Sequence, residues 1–188
     1  ILENKRLVLG NTEAWEDKND ALIMEKFQHL KKAGHVLAIC FNGGDETIHH
    51  WRFFDRDRSC CRITFNGSLY TKLSRRKDLI TGEMQYLNLN ELRGIKTIAI
   101  DALPFFKRKQ YAVEEEYRAV YAGPEPEKTV AVSPKDIDHI TITDKMPDPL
   151  FNHYKGFIKE NYGIKVYRTT VTQNRDWIKQ FDKKAYTP

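Results

Sequence analysis

The stretch of this sequence richest in chemistry is Val113-Glu114-Glu115-Glu116-Tyr117-Arg118. If it is extended, alternate side chains share a face, so Glu114, Glu116 and Arg118 point one way at roughly 7 Å spacing while Glu115 and Tyr117 point the other. Two carboxylates and a guanidinium on one strand face are costly to bury unless they are paired. That face is therefore wet, salt-bridged across a sheet, or the floor of a polar pocket. A cross-strand ion-pair ladder is the commonest of these outcomes, and the pocket gains weight because the flanking residues read as buried.

A second constellation is Gly43-Gly44-Asp45-Glu46-Thr47-Ile48-His49-His50-Trp51. Asp45 with His49 and Glu46 with His50 are four apart, a helical spacing that presents a carboxylate and an imidazole together. A metal centre needs a third ligand and none is signalled, so no metal is expected. Trp51 reads first as the core anchor of an amphipathic helix. The chain has no Walker loop, no Cys-x-x-Cys pair, no dinucleotide glycine fingerprint and no Gly-x-Ser-x-Gly elbow, which removes several enzyme classes.

The elements that must position these residues belong to a chain of 188 residues, 40% hydrophobic and 30% charged. That length and balance suit a single folded domain over 1–188 rather than a disordered chain. The linker-like Gly123-Pro124-Glu125-Pro126 marks a candidate sub-boundary at 123–127. The net charge of +5 hides a local concentration. Arg52, Arg56, Arg58, Arg62, Lys72, Arg75, Arg76 and Lys77 face only Asp55 and Asp57 between positions 52 and 77, and Lys107, Arg108 and Lys109 form a second cluster. These runs read as solvated faces first and as a nucleic-acid- or protein-binding surface second. Cys40, Cys60 and Cys61 are odd in number and include an adjacent pair, which suits a reducing, cytoplasmic setting. No apolar run approaches membrane-spanning length, so no membrane partner is expected. The chain opens without Met, which raises the expectation that it is trimmed from a longer one.

Along the chain, Lys5 to Leu9 is a short apolar segment closed by Gly10. A helix is expected from Asn19-Asp20, with Ile23, Phe27 and Leu30 on its apolar face and Gly34 as its stop. Val36 to Phe41 reads as a strand buried on both faces. A short helix with an acidic first turn is expected over Asp45–Phe54, and strands over Cys60–Phe65, Ile95–Ile100 and Ala112–Ala122. Near the C-terminus, Ile140-Thr141-Ile142, a helix opened by Asp148-Pro149 and stopped at Gly163, and Ile164–Tyr167 compose a βαβ unit with parallel strands. Leu150, Tyr154, Phe157 and Ile158 line one face of that helix. The expected fold class is α+β, a mixed sheet with packed helices and a C-terminal βαβ unit.

An ordered series of blocks over nearly the whole chain resembles the bacterial domain of unknown function 2971 family. These blocks are Leu7-Val8-Leu9 followed by Asn19-Asp20, Cys40-Phe41, Trp51 with Phe54, the Cys61-to-Phe65 strand, Lys109 ahead of Glu114-x-Glu116-Tyr117-Arg118, and Ile140-Thr141-Ile142 before the βαβ unit. Ala21 stands where the family has Pro, Ser59-Cys60 where it has Gly, and the family's His/Tyr-bearing first strand would lie upstream of Ile1. By analogy the resemblance implies an ADP-ribosyltransferase-like site that binds NAD or another nucleotide, in a toxin or phage-defence effector. Glu116 or Glu114 would be the electrostatic catalyst, Trp51 or Phe54 the aromatic support, Asn19 and Asp20 further ligand contacts, and Arg118 a pyrophosphate or structural partner.

Overall fold

The computed structural model describes residues 1–55 and 59–185. Arg56 and Arg58 of the basic run therefore lie outside the described residues. The strands are β1 (Arg6–Val8), β2 (Gly10–Asn11), β3 (His35–Asn42), β4 (Cys61–Phe65), β5 (Ile80–Glu83), β6 (Gln85–Leu87), β7 (Phe106–Arg108), β8 (Glu116–Gly123), β9 (Thr129–Ala131), β10 (Ile137–Ile142) and β11 (Lys165–Arg168). The helices are α1 (Lys18–Lys31), α2 (Ile48–Phe54), α3 (Gly67–Ser74), α4 (Leu89–Gly94), α5 (Asp148–Tyr162) and α6 (Arg175–Phe181). This is an α+β fold, and no helix among the described residues is long and apolar enough to cross a membrane.

The chain forms two compact units, each discontinuous: Ile1–Asp45 with Gly67–Ser133, and Glu46–Asn66 with Pro134–Pro188. The turn at 123–127 lies inside the first unit, between β8 and β9. The first unit is built on a sheet of order β2-β3-β8-β5, with β8 antiparallel to both β3 and β5. Because side chains alternate along a strand, Val36, Ala38, Val120 and Ala122 share a face. On α1, Met24 and Phe27 are fully buried, and they close a core cluster with Val36, Ala38 and Val120. Burying Phe27 and Met24 stabilises the unit by about 1.5–3 kcal/mol each.

The second unit holds a sheet of order β11-β10-β4, with β10 parallel to β11 and antiparallel to β4. The expected βαβ unit is present, and Gly163 ends α5 in the left-handed conformation at φ 67°. Pro147 takes the cap position and Asp148 is the first helical residue, one step earlier than expected at each site. Leu150, Tyr154 and Phe157 are exposed; Phe151, Ile158 and Tyr162 form the half-buried side.

Four expectations are corrected. Residues 95–99 form no strand: Ile95 caps α4, and Ile100 opens a 3-10 turn running to Phe105. Ile95 and Ile100 stay exposed, because no strand among the described residues pairs with them. The strand expected over Ala112–Ala122 begins only at Glu116, since Lys109–Glu114 is a 3-10 turn and Glu115 lies in the left-handed region at φ 41°. Helix α2 starts at Ile48 behind a Thr47 cap, so Asp45 and Glu46 precede it and their helical pairing with His49 and His50 is lost. Helix α1 stops at Lys32, which itself takes the left-handed conformation at φ 51°, two residues before Gly34.

Candidate functional site

The buried stripe of α1 is Asp20, Met24 and Phe27, spaced four and three apart, rather than Ile23, Phe27 and Leu30. This stripe runs beside the inward row of β8. Where Phe27 and Met24 meet the apolar end of that row, Asp20 meets Arg118. Arg118 is 1% exposed and Glu116 5%, so the charged pair predicted on one strand face sits under cover.

All five guanidinium N–H groups of Arg118 are used. Nε donates to Glu116 Oε1 at 2.5 Å, and one terminal nitrogen donates to Asp20 Oδ1 at 2.9 Å and to the Pro104 carbonyl at 3.0 Å. The other donates to Glu116 Oε2 at 3.1 Å and to Asp20 Oδ2. The Trp15 ring stacks on the guanidinium with its centroid 4.7 Å from Cζ. With no donor to spare, Arg118 acts as a clamp joining α1, β8 and the turn at Pro104.

Lys107, at the centre of β7, closes the network. Its ammonium donates to Glu116 Oε2 at 2.9 Å and to Glu114 Oε2 at 2.6 Å, lies 3.7 Å from Asp20, and sits 4.9 Å over the Tyr111 ring. Three carboxylates thus face two cations. Burial pushes the Glu116 carboxyl up, but Arg118 and Lys107 outweigh it and hold the group below its ordinary value. Burial pulls the Lys107 ammonium down, and Glu114 and Glu116 reverse that effect.

The two glutamates differ in their surroundings. Both Glu116 oxygens are occupied, whereas the Glu114 side chain is 35% exposed and its carboxylate meets Lys107 from the rim. The backbone kink between them is held from β3: Asn42 Nδ2 donates to the Glu114 carbonyl at 2.6 Å and the Gly43 amide to the Glu115 carbonyl at 2.7 Å. Tyr86 Oη accepts the Glu116 amide at 2.8 Å. Cys40, opposite Arg118 across the ladder, is exposed. Desolvation and then the Glu116 charge push its thiol up; in an exposed residue, the carboxylate is the part that persists in water.

Of the residues singled out in the sequence, Asp20, Glu114, Glu116, Arg118 and Lys107 therefore converge. Asn19 is exposed and bonds to the helix-capping Asp17. Trp51 and Phe54 belong to the second unit. Trp51 is buried and donates its indole N–H to Glu46 at 3.1 Å, while Phe54 is exposed and stacks edge-on against Phe53. The basic residues divide as well: Arg52 and Arg62 lie in the second unit, and Arg75, Arg76, Lys77, Arg108 and Lys109 in the first. Arg76 is spent on Asp78 and on the Thr129 carbonyl, and Lys109 lies 3.7 Å from Glu91. No group of three or more His, Cys, Asp or Glu side chains able to hold a metal occurs among the described residues. Trp15, Tyr86, Tyr111 and Pro104 gave no signal in sequence beyond residue type. Lys107 had one: three acids this close require cations.

Comparison of the chain with family models, with curated proteins and with solved structures finds no match.

Proposed function

We propose that the first unit carries an ADP-ribosyltransferase-like site acting on NAD or a related nucleotide, with Glu114 as the carboxylate that meets substrate. The observation supporting this choice is the contrast in exposure between Glu114 and Glu116 on a shared Lys107. Glu116, Asp20 and Arg118 form the rigid support, a role their saturated bonding suits better than substrate contact. Lys107 tethers the Glu114 carboxylate in one place, and Trp15 and Tyr111 supply aromatic faces in the same cluster.

In the proposed reaction the bond between ribose C1′ and the nicotinamide nitrogen breaks, and its electron pair leaves with nicotinamide. The Glu114 carboxylate stabilises the cationic ribosyl group as it forms. Water adds an oxygen to C1′ and releases its proton, giving ADP-ribose, or a hydroxyl or amine of a target takes the place of water. The resemblance of the ordered blocks to the domain of unknown function 2971 family supports the same reading. The same reading places the protein in a bacterial cytoplasm as a toxin or phage-defence effector, where its three free cysteines would stay reduced.

The test is nicotinamide release from NAD by the purified chain. Turnover should fall by about 10²-fold or more in Glu114→Gln, with an unchanged circular dichroism spectrum. Absent turnover, or turnover indifferent to this substitution, overturns the proposal.

A further inference from the structure

At the other end of β8 the first unit holds a cleft of about 370 Å³, within the size range of small-ligand sites. Its floor is apolar: Phe27 and Tyr121 are buried, and Ile80 packs against the same core cluster. The tyrosine is fixed, because its Oη accepts the Glu125 amide at 3.2 Å and its ring lies where a Cβ on Gly123 would have to be.

The rim carries an imbalance of charge. Asp78 is already neutralised by Arg76 and by Lys128 at 2.9 Å, and Lys128 also reaches Glu125 at 3.4 Å and lies over the Tyr121 ring. Among the described residues Lys31 has a solvent-facing ion pair with Asp101, the kind of contact worth little in water. Lys77, on the same rim, has no ion-pair partner among the described residues. One unpaired and one weakly paired ammonium therefore flank an apolar, pre-formed floor.

We infer that this cleft binds a small organic anion, with a phosphate or carboxylate head between Lys31 and Lys77 and an aromatic or aliphatic body against Ile80 and the edge of Tyr121. The site is separate from the Glu114 cluster and does not depend on the activity proposed for it. Occupation satisfies Lys77 and covers the half-buried Ile80 side chain.

Titrating the ¹⁵N-labelled chain with phenyl phosphate and, separately, with phenylacetate tests the assignment and identifies the preferred head. The result expected is saturable shifts of the Ile80, Gly123 and Glu125 amides with at least one of the two. Orthophosphate, lacking the body, should bind about ten-fold more weakly. In the Lys31→Ala/Lys77→Ala double variant, affinity should drop by up to about five-fold per lysine. Both lysines are exposed, so the fold should survive. Shifts that fail to saturate with both probes, that map elsewhere, or that are unchanged in the double variant overturn the inference.

Discussion

Arg118 and Asp20 are 98 positions apart in sequence and are joined through both terminal nitrogens of the guanidinium and both oxygens of the carboxylate. This pair fixes the first turn of α1 to the central strand of its sheet. Removing Asp20 strips Arg118 of two buried hydrogen bonds while Glu116 still neutralises it, so the cost stays below that of an uncompensated buried charge. Asp20→Ala should lower unfolding stability by about 2–3 kcal/mol, read from the urea midpoint. A loss below about 1 kcal/mol would show that water reaches Arg118 readily.

Acid should loosen the same cluster. The folded-state pKa of Glu116 lies below its ordinary value of 4.5, so its contribution is fully present above that value and is lost as the pH falls through the depressed one. Asp55 behaves likewise in the second unit: burial raises its carboxyl, but Thr143, the Cys60 amide and Lys145 outweigh it. Urea midpoints measured from pH 7 down to pH 3 should stay level and then fall below about pH 4.5. The fall should be shallower in Glu116→Gln, from a lower starting midpoint.

The kink that separates Glu114 from Glu116 rests on Gly43. A Cβ there would stand 2.9 Å from the Glu115 carbonyl oxygen, which accepts the Gly43 amide and belongs to a residue already at positive φ. Neither backbone yields cheaply. Gly43→Ala is expected to destabilise by about 1–3 kcal/mol in thermal or urea unfolding. It should also reduce any activity that depends on Glu114, since it displaces the backbone of Glu115, the next residue along the chain.

Cys40 offers a spectroscopically silent probe of the network. Its thiol is exposed, yet the Glu116 carboxylate disfavours the thiolate that reacts with alkylating agents. Iodoacetamide labelling at pH 8, followed by peptide mass spectrometry, should be slow at Cys40 and faster in Glu116→Gln. Equal rates would place the carboxylate too far from the sulfur to matter.

The α+β class, α1, β3, β4 and the βαβ unit were legible because periodicity, caps and turn residues agreed locally. The grouping of Glu114, Glu116 and Arg118 was legible from residue type, although the expected continuous strand was not its cause. Glu114 joins the group through Lys107 from a 3-10 turn, and no periodicity signals a turn stabilised by Asn42 and Gly43 some seventy residues earlier. Asp20 stood out in the sequence as part of a helix-opening Asn-Asp pair and, through the resemblance, as a ligand contact, and neither reading gave it a buried partner. Its burial follows from a tertiary partner, which also rotates the whole buried stripe of α1. Strand β5 was missed for a related reason: Ile80-Thr81-Gly82-Glu83 gains its pairing from β8, and Gly82 leaves room for the Phe105 ring.

The pairing of β4 with β10 has a consequence in time. Thr64 and His139 meet across that ladder 75 residues apart, and among the described residues β10 is the one strand to which β4 is bonded. At ordinary rates of synthesis β4 leaves the ribosome about 4–15 seconds before its partner exists. In that interval a strand containing Ile63, Phe65 and the adjacent Cys60 and Cys61 presents an open edge. Chaperone capture or misassembly during synthesis is therefore to be looked for first at residues 61–65.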